Sequence, residues 1–407
     1  MTSSTELQRV LTEVGGHLTG FYLPFWCGPA LDSQSGGWMA WLSNDLQADR
    51  SKPKGLVVNA RILWTFSAAD RAQPQPVYAA MARRAFDYVT CRFSDATHGG
   101  AFWRLNDAGT VIDDSKKIYG QAFYIYAMAE FYRAFKNQTA LDVARELFEL
   151  IESHAHDAKF GGYAEVCRRD WSEAGSEARL SDKDMNEKKS MNNHLHILEA
   201  YTNLHRVWPE ARVAARLREL IGIFLDRVLD TQTMHLHHFF DEQWNVRSHT
   251  YTFGHDIEAS WLLCEAAEEL GDGQLLDRVR QFALKMAGVA LAEGVSNDGA
   301  LSYEGQDGKV MDPGYECWPQ AEAMIGFLNA FELSGSEKFL AAALRIWDYT
   351  QAHLVDRIHG EWFWRINPDG WPEAKLPKVS EWKGPYHVTR ACLEAHSRLA
   401  KLLANPL

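Results

Sequence analysis

Gly99-Gly100-Ala101-Phe102-Trp103 places two glycines directly before an aromatic segment, and stretches of this kind recur along the chain. Four further copies combine a glycine turn with large apolar residues: Gly36-Gly37-Trp38, Gly161-Gly162-Tyr163, Asp298-Gly299-Ala300-Leu301 and His359-Gly360-Glu361-Trp362-Phe363-Trp364. A sixth copy without glycines, Met234-His235-Leu236-His237, fills the one long gap between them. Six copies at a spacing of about 60 to 75 residues indicate an internal structural repeat.

These copies predict a tight turn into a short hairpin, because two glycines before an aromatic segment, as in three of the copies, supply the positive φ angles that such turns need. Between successive copies lie two segments with helical periodicity, such as Pro76 to Phe93 and Gly120 to Phe135, or Ala211 to Leu229 and Asp256 to Gly271. Six helix pairs with little room for a large sheet predict an all-α fold. We expect an (α/α)6 barrel of six inner and six outer helices, with short β-hairpins at one end, formed by residues 1–407 as one catalytic domain. An open helical solenoid is the alternative, although its repeats typically span only about 30 to 50 residues.

Polar or aromatic residues mark the start of the helix that follows each turn. Equivalent positions of a closed toroid face one another, so we expect these helix starts to surround one pocket. The six groups are Asn59-Ala60-Arg61, Tyr119-Gly120-Gln121, Asn192-Asn193-His194-Leu195-His196, Gly254-His255-Asp256-Ile257-Glu258, Trp318-Pro319-Gln320-Ala321-Glu322 and Trp382-Lys383-Gly384-Pro385-Tyr386-His387. The polar segment 170–190 makes the longest step between neighbouring helix starts, and long loops commonly serve a function. We predict that it forms a lid over the pocket, with an ordinary surface loop as the alternative.

The composition favours a globular enzyme without nucleic-acid or membrane partners. The chain has 407 residues and a formal net charge of −12, from 54 acidic and 42 basic residues, and it contains no basic run that would follow a phosphate backbone. Neither a basic leader with an apolar stretch nor an apolar window of about 18 residues occurs, so we expect a cytoplasmic protein. We expect a small-molecule substrate and a monomer or homodimer.

Histidines at three of the helix starts indicate proton-transfer chemistry. Glu199 and Asn203 follow His196 by three and seven residues, which places all three on one polar stripe of a helix. His255 repeats the pattern with Glu258 three residues later. Either histidine alone could be a hydrogen-bonded core residue. Two His/Glu pairs at the same helical position, both at the mouth of the predicted barrel, favour an active site instead. Imidazole can take and return a proton near neutral pH, and His387, at another helix start, suits a neutral base.

A metal ion is not expected in this pocket. His194 and His196 lie two residues apart, so on a helix they point in nearly opposite directions and cannot hold one ion together. No His-Glu-x-x-His or Glu-x-x-His arrangement occurs that would fix a divalent cation from one helix. The run His235-Leu236-His237-His238 alternates like a strand, and we interpret it as a solvent-facing edge.

Arg61 and two tryptophans complete the set of candidates. Arg61 lies in an apolar segment, so it either forms a salt bridge or points at substrate oxygens, and both interpretations stay open. Trp318 and Trp382 can stack on sugar rings or fill the core. A cationic side chain near the reacting atoms would stabilise an enediol-like intermediate formed when C2–H of an open-chain aldose is removed.

Four stretches taken in order resemble the N-acylglucosamine 2-epimerase family, and within it chiefly the cellobiose 2-epimerases. They are Ser190-Met-Asn-Asn-His-Leu-His-Ile-Leu-Glu-Ala-Tyr201, Phe253-Gly-His-Asp-Ile-Glu-Ala-Ser-Trp261, Trp318-Pro-Gln-Ala-Glu322 and Glu381-Trp-Lys-Gly-Pro-Tyr-His387. The resemblance extends from Gly55 to the C-terminus. It implies an (α/α)6 barrel, no metal and no nicotinamide, and reversible conversion of a β-1,4-linked reducing-end glucose, as in cellobiose or lactose, to mannose.

The resemblance also implies roles for individual residues. His255 and His387 match the general acid/base pair, and His196 matches a residue that assists ring opening or stabilises the intermediate. Positions that hold the sugar or orient the histidines are matched by Arg61, Tyr119, Asn192, Asp184, Glu258 and Glu322. Trp318 and Trp382 match aromatic platforms, and Trp382 is the one that favours a disaccharide.

Four other functions remain open at this point. One is an N-acylglucosamine 2-epimerase proper, although the Trp382 motif favours a disaccharide. A mannose isomerase would share the enediol and differ only in where the proton returns. A glycoside hydrolase on the same barrel would use two carboxylates about 5 to 10 Å apart, and Glu258 and Glu322 are candidates, although the histidines would then have no role. A carbohydrate-binding protein would need the tryptophans but not the histidines.

Overall fold

The computed structural model describes residues 3–175, 179–181 and 184–404, and it is mostly helical. Five-residue π-helical turns extend or follow four of the helices, at Leu18–Tyr22, Phe224–Val228, Ala290–Gly294 and Thr350–Leu354. The α-helices are α1 Ser4–His17, α2 Leu23–Cys27, α3 Leu56–Ala72, α4 Pro76–Arg92, α5 Ile118–Phe135, α6 Gln138–His154, α7 Met191–Val207, α8 Ala211–Ile223, α9 Phe253–Leu270, α10 Gly273–Val289, α11 Cys317–Ser334, α12 Glu337–Tyr349 and α13 Tyr386–Ala404.

Six of these helices form a closed ring of contacts. Helices α3, α5, α7, α9, α11 and α13 each pack against the next, and α13 packs against α3. Each of them also packs against a second helix, in the pairs α3–α4, α5–α6, α7–α8, α9–α10, α11–α12 and α13–α1. Helix α3 buries 14 of its 17 residues whereas α4 buries 5 of 17, so the first set lies inside and the second outside. Within the described residues, no helix is both long enough and apolar enough to cross a membrane.

All six turns predicted from the sequence are present. Each is closed by one antiparallel bridge, in the pairs Leu31–Trp38, Ser94–Ala101, His156–Tyr163, Leu229–Leu236, Val295–Leu301 and Val355–Trp362. The glycines have positive φ, for example 73° at Gly99 and 69° at Gly100. In the turn without glycines Met234 takes φ of 67°, a left-handed conformation that side chains rarely adopt. The repeat therefore keeps its turn geometry where the glycine signal is lost.

Short strands connect each turn to the neighbouring inner helix. For instance, the strand after the second turn pairs with the strand before α3, with Lys54 opposite Leu105. A bridge between Leu42 and Val379 joins the first repeat to the last. The strands are β1 Lys54–Gly55, β2 Arg104–Leu105, β3 Val111–Asp113, β4 Lys116–Lys117, β5 Val166–Cys167, β6 Lys189–Ser190, β7 Phe239–Phe240, β8 Tyr251–Thr252, β9 Glu304–Gln306, β10 Lys309–Asp312, β11 Tyr315–Glu316 and β12 Arg365–Ile366.

Lysine–aspartate pairs fix four of the turns to the following inner helices. In each pair the aspartate also accepts backbone N–H groups of its own turn, as Asp32 does from Gln34 and Ser35. The ammonium-to-carboxylate distances are 2.7 Å for Lys54–Asp32, 3.0 Å for Lys116–Asp95, 2.8 Å for Lys189–Asp157 and 2.7 Å for Lys378–Asp356. Three of these pairs have a signal in the sequence, because a lysine stands two residues before each of α3, α5 and α7. Our sequence analysis did not use this signal.

Replacing Lys54 by methionine is expected to lower the free energy of unfolding by about 3 kcal/mol, because it removes one partner of a buried ion pair. Burial opposes the ionisation of Asp32. Hydrogen bonds from Lys54, from Arg50 and from backbone N–H groups of its own turn nevertheless hold the pKa of Asp32 below its usual 3.8. The stabilisation is therefore present at neutral pH and is lost only in acid below that value. Urea unfolding checks this, with Lys52→Met as the matched control: Lys52 pairs with Asp49 but is half exposed. Equal losses in the two variants would contradict the prediction.

Segment 170–190 is only partly described, because residues 176–178 and 182–183 lie outside the described residues. Trp171 is buried, and its indole N–H donates to the carbonyl of His98 over 3.0 Å. The ammonium of Lys117, just before α5, donates to the carbonyls of Arg179 and Leu180 at 2.8 and 2.9 Å. These contacts attach part of the segment to the end of the ring where the inner helices start.

Candidate active site

The inner helices start at one end of the ring, and the predicted polar groups lie there together. Beneath them, the guanidinium of Arg390 on α13 is buried among three carboxylates. Its Nη2 donates to Glu258 and to Glu322 at 2.7 Å each, and its Nη1 donates to Glu199 and to the Tyr386 hydroxyl. Four inner helices, α7, α9, α11 and α13, are therefore joined at one cation.

Two of these carboxylates bond to the Nδ1 atoms of histidines. His387 Nδ1 lies 2.6 Å from Glu322 Oε1, and His196 Nδ1 lies 2.8 Å from Glu199 Oε2. Because Glu322 Oε1 also accepts from Arg390, it acts as an acceptor, and Nδ1 of His387 donates to it. This arrangement directs the proton of the imidazole to Nδ1 and leaves Nε2 as the reactive nitrogen.

The third histidine departs from the expected pattern. The predicted pairing of His255 with Glu258 is wrong, because Glu258 bonds to Arg390 while His255 Nδ1 lies 2.5 Å from the hydroxyl of Thr252. The predicted pair of His196 with Glu199 does form, but Asn203 bonds to Glu130 at 3.1 Å rather than to either of them. Residues three apart on a helix can meet, but in α9 the carboxyl group of Glu258 bonds to the guanidinium of Arg390 and not to His255.

Burial keeps the two candidate acid/base histidines neutral near pH 7. It lowers the pKa of His255 and of His387 well below 6.5, and for His387 the nearby guanidinium groups of Arg61 and Arg390 lower it further. The pKa of His196 is also lowered, chiefly by burial and against the opposing effect of Glu199. Within the described chain, Nε2 of His255 and of His387 makes no hydrogen bond, so both nitrogens are available to a substrate.

Arg61 is not held by a salt bridge among the described residues, which favours the second of its two interpretations. Its Nη2 donates to the Tyr119 hydroxyl at 3.0 Å, and the guanidinium lies over the rings of Phe123 and Tyr386 at 4.3 and 5.0 Å. Its Nε is buried and has no partner within the part of the chain that the structure describes. A buried cation with an unused donor is suited to an oxygen anion.

Two other predicted residues carry buried oxygens that lack a partner among the described residues. These are Oδ1 of Asn192 and Oε2 of Glu258. Burial and the adjacent Glu322 raise the pKa of Glu258 well above its usual value, against the opposing effect of Arg390. Asp184 accepts from Ser181 N–H at 2.8 Å, and its charge acts on the nearby Tyr119 hydroxyl.

Four tryptophans belong to the site or its surroundings, and Trp318 contacts two of the histidines. The ring of Trp318 is 4.7 Å from His255 and 5.6 Å from His387, and it is partly exposed. Trp382 is 6.3 Å from Tyr119 and 5.9 Å from Trp103. Trp364, which our sequence analysis treated only as part of a turn, shares a hydrogen-bond acceptor with Trp318: both indole N–H groups donate to Glu316 Oε2, at 3.3 and 3.1 Å.

Two other histidines considered in the sequence analysis, His194 and His235, have structural roles. His194 Nε2 accepts from Tyr163 N–H at 2.9 Å, on the opposite side of α7 from His196, as predicted from their spacing. The prediction of a solvent-facing edge at His235 is wrong. His235 is buried, bonded to Asp256 at 2.7 Å and Glu293 at 3.1 Å, and it is stacked on Tyr251.

One set of residues has the geometry of a metal site. Ligand atoms of Glu258, Glu322 and His387 lie within 4.8 Å of one another. However, Arg390 donates to both carboxylates and already supplies a positive charge there. A divalent ion would have to displace a buried guanidinium, so the expectation that no metal is needed stays a prediction.

Arg390 is the main residue that sequence reasoning missed. Glu199, Glu258 and Arg390 each follow a histidine of the site by three residues, so one spacing marks all three inner helices. We used that spacing for the two glutamates and did not extend it to His387. Thr252 gave no signal, because a threonine before a helix indicates an ordinary N-cap.

The fold is thus a ring of helices with three imidazoles and a buried guanidinium at one end. A sequence profile of the N-acylglucosamine 2-epimerase (GlcNAc 2-epimerase) family matches residues 37–391, and the chain belongs to this carbohydrate-processing family.

Within the family, the chain is similar to proteins described as cellobiose 2-epimerases. It is 42% identical to the cellobiose 2-epimerase of Bacteroides fragilis over 384 residues, 94% of this chain and 97% of that protein. The solved cellobiose 2-epimerase of Bacillus thermoamylovorans superposes with a TM-score of 0.91 at 38% identity, covering 96% of this chain and 100% of the other. A D-mannose isomerase structure gives a TM-score of 0.81 at 19% identity, over 97% of each chain, and shares the fold.

Proposed function

We propose that this chain is a cellobiose 2-epimerase, an isomerase that inverts C2 of the reducing-end glucose of β-1,4-linked disaccharides such as cellobiose and lactose. Its fold would be an (α/α)6 barrel formed by residues 1–407 as a single catalytic domain. The observation that carries the proposal is the pair His255 and His387. Both contact Trp318, both are neutral near pH 7, and in each of them Nδ1 is bonded while Nε2 is not.

In the proposed reaction one of the two imidazoles removes the C2 proton from the open-chain sugar, and the other delivers a proton to C2. The carbonyl π electrons move to O1, which gives an enediol-like intermediate, and they return when C2 is protonated. Arg61, a buried cation with a free N–H, would stabilise the charge on O1 and O2. His196 would assist ring opening by moving a proton between the ring oxygen and O1.

The remaining site residues would bind and orient the sugar. Asn192, Asp184, Glu258 and Tyr119 would offer polar atoms to the sugar, which the oxygens of Asn192 and Glu258 that lack a partner among the described residues support, and Glu322 would hold His387. Trp318 would lie against the reacting sugar and Trp382 against the second sugar ring, since aromatic faces pack on the C–H faces of pyranoses. Segment 170–190, attached through Lys117, would act as the lid.

Proton NMR of cellobiose with the protein in D₂O, with EDTA present, tests the proposal. The expected result is a mannose-type reducing end that carries deuterium at C2, formed at the same rate with and without EDTA. Cellobiose left unchanged while free mannose gives fructose would identify a mannose isomerase instead. Free glucose from cellobiose would identify a hydrolase. Loss of activity in EDTA that Mg²⁺, Mn²⁺ or Zn²⁺ restores would show that Arg390 is not the only cation required.

A further inference from the structure

Thr252 is the residue before α9, and its hydroxyl does not cap that helix. Threonine and serine are favoured at this position because the side-chain oxygen accepts a backbone N–H of the first turn. At the equivalent position before α7, Ser190 does this, accepting from Asn193 N–H at 3.1 Å. In α9 the capping bond is absent and Thr252 Oγ1 lies 2.5 Å from His255 Nδ1. The hydroxyl therefore serves the imidazole and not the helix.

His238, from the turn strand of the fourth repeat, lies on the other side of Thr252. The backbone N–H of Thr252 donates to His238 Nε2 over 3.2 Å. An amide N–H can only donate, so His238 Nε2 carries no proton and the ring proton is on Nδ1. Burial lowers the pKa of His238 to about 4, so the ring stays neutral near pH 7.

The tautomer of His255 then depends on where the one hydrogen of the Thr252 hydroxyl points. Thr252 Oγ1 is also 3.5 Å from His238 Nε2, which is an acceptor. With the hydrogen directed to His238, the oxygen accepts from Nδ1–H of His255, and Nε2 of His255 has a free lone pair. With the hydrogen directed to His255, its proton would be on Nε2 and the neutral ring could not act as a base.

We propose that Thr252 and His238 are positioning residues that fix His255 as the Nδ1–H tautomer, so that its Nε2 faces the substrate as a proton acceptor. When Nε2 takes the C2 proton, the imidazolium keeps Nδ1–H bonded to Thr252. When Nε2 returns a proton, the same tautomer is restored. The role of Nε2 in proton transfer rests on the proposed function, whereas the tautomer does not.

This support differs from that of the other two histidines. His196 and His387 each donate Nδ1–H to a carboxylate, which can only accept and therefore fixes the tautomer by itself. The titratable or cationic groups whose charge acts on His255 are His238, His196, His387 and Arg61. A hydroxyl accepts or donates, so a further residue is needed to orient it, and His238 is in the place to do so.

Nitrogen-15 NMR of the protein labelled with [¹⁵N]histidine measures the tautomer without any substrate. The His255 signals are identified by their loss in His255→Gln. We expect Nδ1–H with an unprotonated Nε2 in the wild type, and a mixture of both tautomers in Thr252→Val, whose side chain has almost the same shape. A proton on Nε2 in the wild type, or identical His255 shifts in the two proteins, would overturn the inference.

Kinetics provide the second readout. We expect Thr252→Val to lower kcat for deuterium incorporation at C2 of cellobiose by about 10- to 100-fold with little change in KM, as for other residues that orient a functional histidine. Thr252→Ser should restore the rate. Thr202→Val is the matched control, because Thr202 is buried in α7 and, among the described residues, its hydroxyl bonds only to the carbonyl of Leu198.

The outcomes separate the two proposals. Normal kcat in Thr252→Val would overturn the positioning role while leaving the epimerase intact. No turnover of any aldose by the wild type would overturn the proposed function, and the NMR comparison would still decide the tautomer. If Thr252→Val loses activity because it is misfolded, its unfolding midpoint will be lowered. The activity of Thr252→Ser and the nitrogen-15 spectra then decide whether the hydroxyl orients His255.

Discussion

His387→Ala is expected to slow deuterium incorporation at C2 of cellobiose by about 10²- to 10⁴-fold, the usual contribution of a general acid/base. The reason is that Nε2 of His387 is one of two uncommitted imidazole nitrogens beside Trp318, and no other side chain of the described site replaces it there. The protein should remain folded, because Glu322 keeps its bonds to Arg390 and Trp261. Proton NMR in D₂O measures the rate.

The matched control for this variant is His205→Ala. His205 is also a partly buried histidine with a carboxylate partner, 2.9 Å from Glu269, but it lies in the last turn of α7, away from the helix starts. Its replacement should leave the exchange rate within about twofold. If His387→Ala exchanges C2–H as fast as His205→Ala, then His387 has no part in proton transfer.

Arg390→Met should have the largest effect on stability, lowering the free energy of unfolding by about 3–5 kcal/mol. Methionine fills much of the same space but leaves Glu199, Glu258 and Glu322 buried without their shared cation. Unpaired buried carboxyls have raised pKa values, so the folded variant binds more protons than the unfolded chain. Its stability should therefore fall as the pH rises, and the loss relative to wild type should be greater at pH 8 than at pH 5.

Arg398→Met is the control for Arg390→Met. Arg398 is two turns further along α13 and pairs with Glu332 and Glu394, which are partly exposed. Because both of these carboxylates reach solvent, losing Arg398 should cost about 1 kcal/mol or less, and this variant should stay near wild-type stability. Urea unfolding of both variants at the two pH values completes the comparison. A similar loss in both would mean that the three-carboxylate cluster adds nothing beyond a surface ion pair.

The sequence predicted the repeat because its signals are local. Glycines before a large apolar segment mark five of the six turns, in pairs at three of them, and the phase of the helix starts predicted where the pocket lies. Met234 shows the limit of such signals: the fourth turn takes positive φ without a glycine, supported by the surrounding repeat. In the same turn His235 is buried because Asp256 and Glu293, 21 and 58 residues away, converge on it.

Partners across the ring could not be predicted in this way. His196, His255 and His387 could be identified as site candidates from their positions in the sequence. The residues that bond to the imidazoles or to their carboxylate partners, however, come in part from helices far apart in the chain. Glu322 reaches His387 over 65 residues of sequence, and Arg390 reaches Glu199 over 191. Buried charges choose partners by three-dimensional distance, and one sequence without its relatives contains no record of those distances.

Helix α13 supplies both His387 and Arg390 and closes the ring against α3. Domains generally fold as units during synthesis, so the ring cannot close before α13 has been made. A nascent chain that has reached α11 already holds two of the three imidazoles and all three carboxylates, yet it lacks their counterion and one of the two uncommitted bases. We therefore expect catalysis to begin only when synthesis has passed the final helix of the ring, and a product that ends before α13 to be inactive toward cellobiose.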